Sequence, residues 1–198
     1  MISQLDITNL AVQRGDRLLF EGLNLRLSAG QACALTGPNG SGKTSLLRAI
    51  AGLLAPVTGT VDFGSTDPAQ AREQDTHLLG HLDGLKSGRT GREELGFWTS
   101  WLGGSDFVDA AARLEITPLL DLEIRRLSAG QRRRLSLARL ISAPRPIWLL
   151  DEPLSPLDGN WRSKFGQIMA EHLKTGGIIL AAVHDPLPIP AMTLEIPA

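Results

Sequence analysis

The run Gly37-Pro38-Asn39-Gly40-Ser41-Gly42-Lys43-Thr44 fits the spacing G-x-x-x-x-G-K-[ST], and the chemistry available to that spacing is phosphate binding. Gly37, Gly40 and Gly42 let the backbone curl so that N–H groups point at phosphate oxygens, Lys43 reaches the β- and γ-phosphates, and Thr44 offers a hydroxyl to Mg²⁺. A helix opening at Lys43, with Ser45 in its first turn, aims the positive end of its dipole at the same phosphates. Much later come two adjacent carboxylates. Asp151 is suited to hold Mg²⁺ through water, and Glu152 to polarise a water that attacks the γ-phosphorus. His184 follows a further apolar run and can reach the γ-phosphate. Between them, Leu127-Ser128-Ala129-Gly130-Gln131 precedes a stretch of helical spacing, which puts Ser128, Gly130 and backbone N–H groups at a helix N-terminus, a second anion site.

These groups act together only if the right elements hold them. Ala32 to Thr36 is short and apolar, a buried strand, and Ser45 to Leu53 has helical spacing, so the glycine loop has the strand-loop-helix setting that it needs. Ile147 to Leu150 and Gly177 to Val183 read as fully buried strands on either side of a helix from Trp161 to Leu173. Residues 1 to 36 read as short strands with turns at Arg14 to Arg17 and Ser28 to Gly30, a small antiparallel layer. The sequence LSAGQ occurs twice, and its first copy, Leu27 to Gln31, reads as a hairpin turn. Residues 53 to 80 suggest a turn, an edge strand around Thr60 to Phe63 and a polar connection. From Glu93 to Ile141 helical spacing dominates, broken at Gly103-Gly104 and Pro118; the basic run Arg132 to Arg134 reads as a solvated helix face. The expected class is α/β: a parallel core covered on both faces, an antiparallel layer and a helical insertion.

Composition narrows the functions available. A chain of 198 residues with 42% hydrophobic residues is long enough for one domain with a proper core. Its net charge of −1 offers no basic surface for nucleic acid. Cys33 is the only cysteine, which excludes an internal disulfide and suits a reducing compartment. The N-terminus lacks a signal-peptide pattern, and no window reaches the ~18 consecutive apolar residues of a spanning helix. No direct membrane insertion is expected, so membrane association has to come through a partner.

Taken together, GPNGSGKT, LSAGQ before a helix, LLDEP and the late His184 resemble the ATP-binding subunits of ABC transporters over nearly the whole chain. The resemblance implies a P-loop NTPase core (about 1–82 and 143–198), with a helical signature subdomain at about 83–142, in one ATPase domain. It implies ATP and Mg²⁺ as ligands. Gly37 to Thr44 becomes the Walker A loop, Leu127 to Gln131 the signature, Asp151 and Glu152 the Walker B pair, Ser155 to Asp158 the D-loop and His184 the switch histidine. In that family two copies pack head to tail with each ATP between one Walker A loop and the opposite signature, so a homodimer is implied here.

Three positions depart from the family pattern. Arg14 stands where an aromatic ring usually stacks on adenine; its guanidinium plane can stack on the base, or it is a plain surface charge. His81 takes the place of the glutamine that usually approaches Mg²⁺ and its waters. Ala129 replaces the second glycine of the signature, which is tolerable where φ is negative. Arg14-Gly15-Asp16-Arg17, Leu79-Gly80-His81, LSAGQRRRLSLARL and PIWLLDEP resemble the ATP-binding subunits of cytochrome c maturation haem exporters. That narrower resemblance implies integral membrane permease partners and a peripheral position on the cytoplasmic face of a bacterial inner membrane, with ATP hydrolysis driving delivery or release of haem on its chaperone. Phe97, Trp98 and Trp101 lie at one-turn spacing, either filling the insertion's own core or offering a groove to a helix of the membrane partner.

Overall fold

Strands β6 (Ile147–Asp151) and β7 (Ile178–Ala182) are buried at every position, and alternation along them builds two cores at once. Ile147, Leu149, Ile178, Leu180 and Ala182 face one apolar cluster, while Trp148, Leu150, Ile179, Ala181 and Val183 face the other. The computed structural model describes residues 2–104 and 106–197. In it, β6 and β7 form the centre of a five-stranded parallel sheet with β5 (Thr76–Leu79), β3 (Ala32–Thr36) and β8 (Met192–Glu195), in the order β5-β6-β7-β3-β8.

One face of this sheet packs against helix α1 (Lys43–Ile50) and a second, antiparallel sheet. That sheet has the order β2-β1-β4, from β1 (Gln4–Arg14), β2 (Arg17–Ser28) and β4 (Thr58–Asp62). The turn expected at Arg14 to Arg17 closes the β1–β2 hairpin, where Arg14 pairs with Arg17. The other face carries α6 (Gly159–Lys174) and the helical stretch made of α3 (Gly91–Trp101), α4 (Val108–Arg113) and α5 (Ala129–Ser142). Helix α6 starts where Asp158 accepts a hydrogen bond from the Trp161 N–H at 2.9 Å.

Two local expectations are corrected. The first LSAGQ copy is no hairpin: β2 pairs with β1 and β3 with β7, so Ser28 to Gly30 turns a corner between two sheets. Its Gln31 side chain accepts from the Ser28 N–H at 2.8 Å, which pins that corner. The supposed polar connection before residue 80 holds a helix, α2 (Pro68–Gln74), and the edge strand β5. Asp67 caps α2 by accepting from the N–H groups of Ala69 and Gln70, with Pro68 at the first helical position. Strand β8 had no counterpart in the sequence reading; it joins the sheet through β3.

Candidate active site

The glycine loop leaves the C-terminal end of β3, the edge at which parallel sheets receive ligands. Gly37 has φ 130°, and a Cβ there would collide with the carbonyl oxygen of Ile196 just past β8. Only glycine satisfies both the left-handed backbone and that close approach. Gly42 caps α1 with φ 109° and no side-chain hydrogen bond to the first turn. The N–H groups of that turn therefore point into the loop, the arrangement that binds anions. Ser41 is 3% exposed and its hydroxyl meets no hydrogen-bonding partner among the described residues, so the loop offers a buried donor to a phosphate as well. Lys43 donates to the carbonyl oxygens of Gly37 (2.7 Å) and Pro38 (3.0 Å), which folds its ammonium over the same loop.

Opposite the loop stands the end of β6. The Thr44 hydroxyl donates to Asp151 Oδ2 at 2.9 Å, so a hydroxyl and a carboxylate 107 residues apart in sequence share one point. Two oxygen groups beside a phosphate loop suit Mg²⁺, which is commonly held by one or two carboxylates and the phosphates of its substrate. Glu152 begins the turn after β6 with φ 49°, a left-handed backbone that is costly for a side-chain-bearing residue. Its N–H donates to the carbonyl of Ala182 on β7 at 2.9 Å. Its carboxylate lies 3.4 Å from His184 Nε2. Burial pushes the Glu152 carboxyl above the ordinary glutamate range; His184, Lys43 and His81 oppose that shift and Asp151 adds to it.

These groups line one cleft of about 460 Å³, together with Arg14, Leu19, Asn39, Gly40, Gly42, Ser45, His81 and Ser155. Most of the residues anticipated from the sequence therefore meet in one place. Arg14 is exposed at the end of β1, and the cleft is also lined by Leu19, an apolar residue that no motif announced. Gly37, Pro38 and Ser41 form the loop beneath. Ser128, Gly130 and Gln131 do not line this cleft. They open α5 instead, where a capping box joins Ser128 and Gln131: the Ser128 N–H donates to Gln131 Oε1 at 2.8 Å and the Gln131 N–H to Ser128 Oγ at 3.2 Å. Ala129 is the first residue of that helix and is not among the residues of positive φ, so its methyl is accommodated.

The basic run Arg132 to Arg134 is not a solvated face. Arg133 is 1% exposed and donates to five oxygens behind the cleft, and Arg134 lies 4.2 Å over the Trp161 ring. A signal was present: Arg133 precedes Leu137 and Leu140 by four and seven residues, which puts it on the buried stripe of α5.

The ABC transporter family profile matches residues 20–155. The chain belongs to the ABC transporter family. As an ABC transporter ATP-binding chain it is 48% identical over 187 residues to the cytochrome c biogenesis ATP-binding export protein CcmA of Rhodopseudomonas palustris (strain BisB5), a match covering 93% of this chain and 94% of that protein. Among solved structures, a candidate ABC transporter ATP-binding protein from Pyrococcus furiosus superposes with a TM-score of 0.87 at 24% identity, over 98% of both chains. A post-hydrolysis dimer of an ATP-binding cassette bound to ADP and Pi superposes with a TM-score of 0.79 at 21% identity, over 91% of this chain and 88% of that one. Family membership brings ATP binding and hydrolysis with it. No helix among the described residues is long and apolar enough to cross a membrane.

Proposed function

We propose that this ABC transporter chain is the ATP-hydrolysing subunit of a cytochrome c maturation exporter, in which hydrolysis drives export or release of haem on its chaperone. It works as a homodimer at the cytoplasmic face of a bacterial inner membrane, bound to integral permease subunits. The observation that carries the catalytic part is the convergence of Lys43 and Thr44 from α1, Asp151 and Glu152 from the end of β6, and His184 from beyond β7 on one cleft. The 48% identity to an export protein of cytochrome c biogenesis supports the assignment to that complex.

The residues divide the work as follows. Gly40, Gly42 and the first turn of α1 cradle the phosphates with backbone N–H groups, Lys43 holds the β- and γ-phosphates, and Asn39, Ser41 and Ser45 complete the loop. Arg14 and Leu19 flank the base. Thr44 and, through water, Asp151 would hold Mg²⁺, which neutralises charge on the phosphate oxygens. His81 would act on the ion through water, because imidazole nitrogen suits softer metals. Glu152 accepts a proton from water as its oxygen bonds to the γ-phosphorus, the bond to the bridging oxygen breaks, and ADP and phosphate remain. His184 positions the γ-phosphate, and Ser128, Gly130 and Gln131 of the second copy cover it. Phe97 and Trp101, stacked with ring centroids 6.2 Å apart and both exposed, face the permease.

The test is a strain whose sole copy of this chain carries Lys43→Ala. The protein should accumulate normally while covalently haem-bearing cytochromes c vanish and ATP hydrolysis by the purified variant falls at least ~100-fold. Normal cytochromes c in that strain would refute the reading.

A further inference from the structure

Behind the cleft, α5 sends one buried side chain across to the loops that carry the hydrolytic groups. Arg133 is 1% exposed, and all three nitrogens of its guanidinium are engaged. Nε donates to the carbonyl of Pro153 at 3.1 Å, and Nη2 to the carbonyls of Asp151 (2.9 Å) and Glu152 (2.8 Å). Nη1 donates to the carbonyl of Gly80 at 3.0 Å and to Asp83 Oδ1 at 3.3 Å. Asp83 is the one carboxylate among these contacts, and it balances a buried charge that would otherwise be expensive. The other four acceptors are backbone carbonyls, so the contacts fix where two segments of main chain lie.

Those segments matter for different reasons. Residues 151–153 leave β6 and residues 80–83 leave β5, neighbouring strands of the sheet. Glu152 has the left-handed backbone, and its peptide groups are anchored on two sides: its N–H by Ala182 and its carbonyl by Arg133. Gly80 precedes His81, which lines the same cleft. A planar fork can satisfy oxygens from both loops at once, whereas a lysine ammonium, with three donors on one nitrogen, cannot span them.

We propose that Arg133 is a positioning residue for ATP hydrolysis: from the helix that begins with Ser128 it locks the main chain of Glu152 and of the His81 loop into one arrangement. The proposal rests on the assignment of Glu152 as the base. Arg133 does not line the cleft, so its removal should lower kcat and leave nucleotide binding in place.

The experiment compares Arg133→Lys and Arg133→Gln with the unmodified chain, measuring kcat, KM and binding of a fluorescent ATP analogue with Mg²⁺. Arg133→Lys should lose about tenfold and Arg133→Gln about 100-fold in kcat, with KM and analogue affinity within about threefold. Combining Arg133→Lys with Glu152→Gln should cost little beyond Glu152→Gln alone, since both changes act on one step. A kcat within twofold of normal in Arg133→Lys would overturn the proposal, and so would equal losses in kcat and analogue affinity. If Arg133→Gln does not fold, Arg133→Lys decides alone; if neither folds, Arg133 is a purely structural residue and the proposal is wrong. Absence of hydrolysis by the unmodified chain would instead defeat the assignment of function, which separates the two failures.

Discussion

Glu152 joins a left-handed backbone to a carboxylate that burial disfavours. Both features cost stability, and both fit the base role proposed for this residue. Because the folded-state pKa lies above the unfolded one, the ionised form is disfavoured by folding. That penalty is present above the folded pKa and vanishes as the pH falls below the ordinary glutamate value of 4.5. At pH 8, Glu152→Gln should therefore raise the thermal midpoint by about 1–3 °C while lowering kcat by ~10²–10⁴-fold. In the unmodified chain the acid limb of the kcat profile should fall above pH 4.5, since the base works only when ionised. Calorimetry and a pH series check both; a lowered midpoint together with retained turnover would contradict this account. The residue types at this site were legible because phosphate, magnesium and water each admit few partners. Leu19, which also lines the cleft, was not, since a single apolar side chain has no distinctive spacing.

At the scale of elements, legibility followed burial. Strands β6 and β7, enclosed on both faces, read as uninterrupted apolar runs and were anticipated almost to their ends. Helix α2 buries Ala71 alone among its residues, and β8 is mostly exposed, so neither has a periodicity to detect. Helix α3 shows a subtler limit: one-turn spacing did not say which aromatic residue faces inward. Trp98 Nε1 donates to Glu94 Oε1 at 2.9 Å, and Arg139 lies 4.8 Å over the Trp98 ring. Trp101 is 73% exposed. Trp98→Ala would remove both contacts and leave the buried Glu94 carboxylate short of a donor, a loss of about 2–4 kcal/mol in urea unfolding. Trp101→Ala should stay within about 0.5 kcal/mol yet weaken co-purification with the permease subunits proposed as its partners. Equal destabilisation by the two changes would mean that Trp101 belongs to the core.

For the molecule as a whole, the residues assigned to ATP fall in two separate places. Lys43, Asp151, Glu152 and His184 line a single cleft, while Ser128, Gly130 and Gln131 stand outside it. Gly130 instead packs so near the carbonyl of Pro156 that a Cβ would lie 3.2 Å from it, which sets the start of α5 close to the loop after Glu152. The head-to-tail dimer proposed above would bring them together, each phosphate loop meeting the other copy's α5 N-terminus. Lys43→Ala spoils the phosphate loop of its own copy, and Ser128→Arg spoils the surface offered to the partner. Each homodimer should be inactive. In a mixture, the heterodimer joins the intact loop of the Ser128→Arg copy to the intact α5 N-terminus of the Lys43→Ala copy, which restores one of its two sites. With equal amounts and random pairing, activity should approach about a quarter of normal. A site complete within one chain would give no recovery at any ratio, so the mixing curve separates shared sites from self-contained ones.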